Sequence, residues 1–337
     1  MGEFELLARI RERLPPAGSR VRLGSGDDAA ITVPGGATAT SVDALVDGVH
    51  FRREWSSPAQ IGHKALATAL SDLAAMGAEP GEAYVVLGIP EDFSEDACLE
   101  LLDGMTALAG ETGTALAGGD VTRAPTLTLA MTVVGHAPSP DDFLTRVGAH
   151  PGDALVVTGE LGAAAAGLVL LEADGQASSP FVSLRATNSE RAALIGKQLE
   201  PLPRLEAGRA LSEAGATGAI DISDGLGGDA GHLAAASGVG VRIEAEALPI
   251  ADGVAEVAEA AGVEPLELAA SGGEDYELLA TLPPNRLDEA RAAVAKTGTV
   301  LTRIGEAVPD PGNGDRRVEI RLPDGRRSRP AGFDQLA

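Results

Sequence analysis

The sequence predicts a two-domain α/β fold, mixed in the α+β sense, and three observations carry that expectation. At 337 residues the chain is long enough to bury two cores. Short β-branched runs alternate with helical patterns in both halves, and several runs end on an acid beside glycine. Between the halves lies a Pro- and Asp-rich break, Pro138-Ser139-Pro140-Asp141-Asp142, followed by Arg146 to Asp153. It divides the chain into residues 1–140 and 141–337.

Taken in order, the first half opens with an amphipathic helix marked by Phe4, Leu7, Ile10 and Leu14. It carries acids and lacks the character of a signal peptide. Gly24-Ser25-Gly26-Asp27-Asp28 precede a strand over 29–33, and a second strand runs from Thr38 to Asp43. The clearest helix covers 61–76, with Leu66, Leu70 and Leu73 as its stripe and Asp72 alone among small side chains on another face. A strand over 83–89 leads to a helix over 94–110, capped by Ser94 and burying Cys98. Gly118-Gly119-Asp120 reads as another glycine pair with an acid, before a half-buried strand from Thr126 to Val134.

The second half begins with a strand over 154–158 and an Ala-rich helix after Gly162. Helices follow near 188–198 and 204–214, then a buried strand reaching Ile222. That strand ends in Asp221-Ile222-Ser223-Asp224-Gly225, and a helix begins at Leu226 with Ser223 or Asp224 as its natural N-cap. A strand over 239–244, helical structure over 253–270, the acid loop Ser271 to Glu277, a strand to Thr281, a helix near 287–296 and a strand over 299–304 follow. An Arg-rich hairpin completes the chain.

Composition excludes several classes of function. The 50 acidic against 26 basic residues give a net charge of −24, which argues against nucleic acid or an anionic membrane surface as partner. The longest apolar run, Leu161 to Leu171, is too short to span a bilayer, so a soluble, cytoplasmic protein is expected. One cysteine rules out an internal disulfide framework and makes a thiolate zinc site implausible.

What the sequence accumulates instead is carboxylates at strand ends. Asp27, Asp28, Asp43, Asp72, Asp120, Asp221 and Asp224 lie mostly at strand tips or beside glycines, and neighbouring buried carboxylates repel unless cations intervene. Oxygen donors without a Cys or His cluster point to Mg²⁺, and carboxylates holding Mg²⁺ bind phosphate. Three lysines in the whole chain, and no P-loop, leave phosphate neutralisation to metal ions, with Arg146 the one basic residue placed to help. A rival reading takes Gly225-Leu226-Gly227-Gly228-Asp229-Ala230 as a dinucleotide fingerprint of an NAD(P)-binding oxidoreductase, with Glu244 ending the next strand. A non-catalytic Mg-nucleotide binding module is a third.

Seven stretches, GSGDDAA, SVDALVDGVHF, KALATALSDLAAMGAEP, AGGDVTR, LTRVGAHPGD, IDISDGLGGDAGHLA and SGGEDYEL, come in the order found in the thiamine-monophosphate kinase family, which the chain resembles. That family belongs to the aminoimidazole-ribonucleotide-synthetase-like superfamily. The resemblance implies an N-terminal domain for ATP, Mg²⁺ and dimerisation, whose sheet pairs with a second copy in a homodimer, and a C-terminal α/β domain. It implies direct transfer of the γ-phosphoryl group of ATP to thiamine monophosphate, giving thiamine diphosphate. By motif position, Asp28, Ser41, Asp43, Asp72, Asp120, Asp221 and Asp224 would hold several Mg²⁺ ions, with Asp43, Asp120 and Asp224 catalytic. Gly119, Asp120, Arg146 and Ser223 would touch ATP, and His50, Glu274 and Phe333 would contact the thiamine phosphate. The chain departs from the family pattern at Val42, usually a second Ser or Thr, and at Gly332-Phe333-Asp334-Gln335-Leu336, usually closer to G-[WY]-D-H-F.

Overall fold

The computed structural model describes residues 3–15, 19–25, 29–174, 188–312 and 317–328. Its contacts gather into two compact units, Met1–Leu73 with Ala78–Asp142, and Ala74–Gly77 with Phe143–Ala337. The fold is a mixed α/β one built on two sheets of appreciable size, one in each unit, plus a small two-stranded pair.

In the first unit a four-stranded sheet has the order β3 (Ala37–Val46), β6 (Thr128–Ala137), β4 (Glu79–Ile89), β5 (Ala115–Arg123). Only β4 and β5 run parallel. On β3 the alternation puts Ala39, Ser41, Asp43 and Leu45 on one face and Val42 and Ala44 on the other. The helix α2 (Pro58–Ala75) packs on the side facing Gly135 of β6, where its Leu73 is a near neighbour. Leu66, Leu70 and Leu73 are at most 1% exposed, as their helical spacing requires. The helix α3 (Glu95–Thr112) starts at its expected cap, with the Ala97 amide donating to Ser94 Oγ at 3.1 Å, and buries Cys98. The N-terminal helix α1 (Glu3–Arg13) joins α3 through Arg9 to Glu95 and Arg13 to Asp103. A two-stranded pair, β1 (Val21–Leu23) and β2 (Ile31–Thr32), completes the unit.

Gly118-Gly119-Asp120, read in the sequence only as a glycine pair with an acid, is the middle of β5, with Gly119 opposite Val85 and Asp120 opposite Val86. The local glycine signal is overridden by the hydrogen-bond partners that β4 offers along its edge.

In the second unit a seven-stranded sheet has the order β13 (Arg327–Ser328), β12 (Val318–Arg321), β9 (Val239–Glu244), β11 (Leu301–Pro309), β7 (Ala154–Thr158), β10 (Leu278–Leu282), β8 (Gly218–Asp221). All pairings are antiparallel except β12 with β9. The Arg-rich tail is thus a hairpin that extends the sheet, and Arg317, Arg321, Arg326 and Arg327 pair with acids close by. One face carries a core of Leu155, Val157, Ile220, Ile243 and Leu279 beneath Leu226, Ala230 and Leu233 of α7 (Leu226–Ser237). A second cluster joins α4 (Ala163–Asp174), α5 (Asn188–Leu199) and α8 (Val254–Ala261), with α9 (Pro265–Ser271) following Gly262. The helices α6 (Leu205–Glu213) and α10 (Leu287–Ala295) are linked by the Arg286 side chain, which donates to the Ala214 carbonyl. No helix among the described residues is long and apolar enough to cross a membrane.

Candidate active site

In the first unit, the inward face of β3 and the end of α2 bring two of the expected residues together. Ser41 Oγ donates to Asp72 Oδ2, joining a strand hydroxyl to the lone acid of the helix. Asp43 lies two residues further along the same face, where its Oδ1 accepts the Ala44 amide at 2.8 Å. His50 sits in the turn that follows, its Nδ1 accepting the Val46 amide at 3.1 Å. That bond assigns the ring hydrogen to Nε2, leaving a donor on the outer nitrogen. Gly119 and Asp120 lie exposed on β5, the edge strand opposite β3. Asp28 falls outside the described residues.

The second unit holds a tighter arrangement. Asp221 ends β8 at 4% exposure, and Ser223 and Asp224 follow in the turn before α7. Neither caps the helix, contrary to the expectation. Gly225 takes that position at φ 106°, a conformation side chains resist, and no side chain caps it. The acid that organises the turn is Asp229, in the first turn of α7. Its Oδ2 accepts the amides of Ser223 and Asp224, both at 3.0 Å. Burial, with the like charges of Asp221 and Asp224 adding to it, pushes the Asp229 carboxyl up to about 7.

The loop 271–277 docks on this turn. The Glu274 and Tyr276 amides donate to the carbonyls of Ser223 and Ile222, at 2.9 Å each, and Gly273 lies so close that a Cβ would stand 2.3 Å from the Ser223 carbonyl oxygen. Glu274 and Tyr276 are the non-glycine residues with positive φ, at 68° and 49°, among the described residues. Such backbone costs about 1 kcal/mol or more per residue, and it persists where surrounding contacts hold it. Here each acid of the loop has its own anchor. Glu274 accepts from the Gln198 amide, and Asp275 takes the Gly162 and Ala164 amides at the start of α4, at 2.8 and 3.3 Å. Glu277 receives Arg204 and, at 2.8 Å, the Thr158 hydroxyl.

The Arg146 backbone is held at the other end of α7. Ser237, the last residue of α7, donates to the Arg146 carbonyl and accepts the amides of Gly148 and Ala149, while Ser223 and Asp224 lie before the helix's first turn. The same segment runs beside the start of β8, where the Thr145 carbonyl accepts the Ala219 amide at 2.9 Å, two residues before Asp221. Phe333 falls outside the described residues.

Sequence reading gave no role to Asp229, Gln198, Arg204 or Glu277. Asp229 could have been flagged as an acid in a helix's first turn close to a loop rich in amides. Gln198 and Arg204 carried no signal, because their partners Glu274 and Glu277 lie 76 and 73 residues away.

The dinucleotide reading fails on this geometry. The β8 strand is at the edge beside β10 and far from β9, so β8–α7–β9 is not the parallel unit a dinucleotide fold requires. The Asp229 carboxylate also occupies the Ser223 and Asp224 amides that a pyrophosphate would need. Among the described residues no group of three or more His, Cys, Asp or Glu side chains is gathered closely enough to hold an ion. Asp221, Asp224 and Asp229, whose charges act on one another, offer oxygen donors only, the kind a hard divalent cation takes.

Two family models match, AIR synthase related protein, N-terminal domain, over residues 26–137, and AIR synthase related protein, C-terminal domain, over residues 150–316. The thiamine-monophosphate kinase of Salmonella typhimurium is 39% identical over 312 residues, spanning 92% of this chain and 91% of the relative. The crystal structure of the Stenotrophomonas maltophilia thiamine-monophosphate kinase superposes with a TM-score of 0.79 at 34% identity, over 96% of both chains. AaThiL complexed with AMPPCP and TMP gives 0.74 at 30% identity, over 88% of this chain and 86% of that one. The fold and the two matched halves define an AIR-synthase-related protein. Within that class the chain belongs to the thiamine-monophosphate kinase family, and it is a kinase.

Proposed function

We propose that the protein transfers the γ-phosphoryl group of ATP directly to thiamine monophosphate, giving thiamine diphosphate and ADP with the assistance of Mg²⁺. The observation that carries this reading is the acid turn before α7, where Asp221, Asp224 and Asp229 crowd like charge at the end of a buried strand in a chain of this kinase family. The acceptor oxygen belongs to a phosphate that is largely ionised near neutral pH, so the protein needs no strong base. Its task is in-line positioning and charge neutralisation.

Asp28, Ser41, Asp43, Asp72, Asp120, Asp221 and Asp224 would hold Mg²⁺, with Asp43, Asp120 and Asp224 the acids on which transfer depends. When bound, the metal neutralises phosphate charge as it moves from donor to acceptor. Gly119, Asp120, Arg146 and Ser223 serve ATP. His50 and Glu274 serve the thiamine phosphate, His50 with the donor on Nε2 and Glu274 as an acceptor suited to a cationic substrate, and Phe333 offers a ring to stack on it. In this reading residues 1–140 form the ATP, Mg²⁺ and dimerisation domain and residues 141–337 the second domain, in a cytoplasmic homodimer paired through the four-stranded sheet. The exposed Val42 and Val86 on that sheet support the pairing.

The test is to incubate the purified protein with Mg-ATP and thiamine monophosphate and to assay thiamine diphosphate, with a parallel sample in EDTA. Product that disappears in EDTA is expected. Product that persists in EDTA removes the metal from the mechanism. Mg-ATP binding without product leaves a nucleotide-binding module and removes the substrate assignment.

A further inference from the structure

The turn that carries His50 is closed on itself by one guanidinium. Asp47 opens the turn directly after β3, and its amide donates to the Leu127 carbonyl at 3.0 Å. Gly48 follows at φ 84°, and its amide reaches the Phe51 carbonyl at 2.8 Å. The Val49 and His50 amides both donate to the Val46 carbonyl, at 3.1 and 3.0 Å. Phe51 is buried and pins the far side of the turn. Arg53 then reaches back. Its Nε donates to Asp47 Oδ2 at 2.7 Å and its backbone amide to Asp47 Oδ1 at 3.4 Å. A terminal nitrogen of the same side chain donates to Asp92 Oδ2 at 3.1 Å, in the loop between β4 and α3. A planar fork with several fixed donors can join two carboxylates in this way, whereas an ammonium is a single point charge.

The side chains of Arg53 and Asp92 are 34% and 68% exposed, and ion pairs so open to water contribute little to the stability of the whole fold. Their effect is local. His50 lies between the two clasped residues, with its ring held on the Val46 amide and its Nε2 hydrogen directed outward. Arg52, one residue away, stands apart from the clasp, its guanidinium 4.9 Å from the centroid of the Trp55 ring. We propose, on the reading of His50 as a contact of the thiamine phosphate, that Arg53 is a positioning residue for the acceptor. It sets the place of His50 by holding Asp47 and Asp92 together, and it does so without touching the substrate.

The test measures both KM values on the full chain, with Mg-ATP and thiamine monophosphate, for wild type, Arg53→Gln, His50→Ala and the double variant. Arg53→Gln should raise the KM for thiamine monophosphate at least about tenfold, since a small misplacement of a binding group is costly. Its KM for ATP should stay within about twofold and its melting temperature within about 4 °C of wild type. Asp47→Asn, which opens the clasp from the other side, should raise the same KM. Arg52→Gln removes an equal charge one residue away and should leave that KM within about twofold. Once His50 is alanine, Arg53→Gln should add less than about twofold, because the residue it acts through is gone. Effects that multiply in the double variant, an Arg52→Gln loss equal to that of Arg53→Gln, or a shift in both KM values together overturn the assignment. If wild type makes no thiamine diphosphate, the kinase reading falls and the role of Arg53 with it. If wild type turns over, His50→Ala weakens the acceptor and Arg53→Gln does not, the role of Arg53 falls alone.

Discussion

Asp224 illustrates how much a single position carries. Its amide is taken by Asp229 at 3.0 Å, so the direction of the turn is fixed by the backbone and the carboxylate is left for chemistry. Asp224→Asn keeps the amide and the volume and removes the charge. It is expected to lower phosphoryl transfer by at least about a hundredfold, the scale of losing one electrostatic stabiliser in a transition state. The melting temperature should stay close to that of wild type. Full activity in this variant would remove the metal role of the turn. Asp221, Ser223 and Asp224 were legible because a strand end, a hydroxyl and a glycine stand in one run of sequence. Their support by Asp229 was not, because nothing local indicates which backbone amides a buried carboxylate will face.

At the scale of elements, the loop 271–277 and its anchors form the most constrained feature of the second unit. Glu277 is 2% exposed in its side chain and Arg204 is 18% exposed, so their pair is largely shielded from water. Arg204→Met leaves Glu277 charged and unpaired, which costs about 3–5 kcal/mol, and denaturant unfolding should report a loss of that order. Asp275 gives a pH dependence. Burial pushes its carboxyl from 3.8 up to about 7, against the two amides that accompany it. The folded state holds this proton more tightly than the unfolded one, so the contribution is intact below about pH 4 and is lost as pH rises toward and through 7. Asp275→Asn should flatten the stability curve across that window. An unchanged slope between pH 4 and 7 would show that the carboxyl titrates as an ordinary one. The acid loop was visible in the sequence as Gly272-Gly273-Glu274-Asp275, yet its partners at the start of α4, on α5, just before α6 and on β7 come from 73 to 119 residues away.

For the whole molecule, each unit has its own sheet and its own apolar core. Homodimerisation is the prediction that belongs to this scale. Val42 is 70% and Val86 45% exposed on one face of the four-stranded sheet, where Val42 is opposite Thr132 and Val86 opposite Ala130. Val42→Glu sets a charge into that face. Sedimentation should then shift from dimer toward monomer, and a variant that sediments as wild type does would place the contact elsewhere.

The sequence by itself determined the fold class, most of the elements and the family, because periodicity, capping residues and short motifs are local properties. The Ser94 cap and the Leu66, Leu70 and Leu73 stripe were readable for that reason. Only the tertiary structure decided that Gly118-Gly119-Asp120 is a strand, that β8 is an edge strand rather than half of a dinucleotide fold, and that Gln198, Arg204 and Asp229 brace the acid loops. Strand pairing and buried hydrogen bonds join residues remote in sequence, and a carboxylate's partner is set by what the fold carries to it.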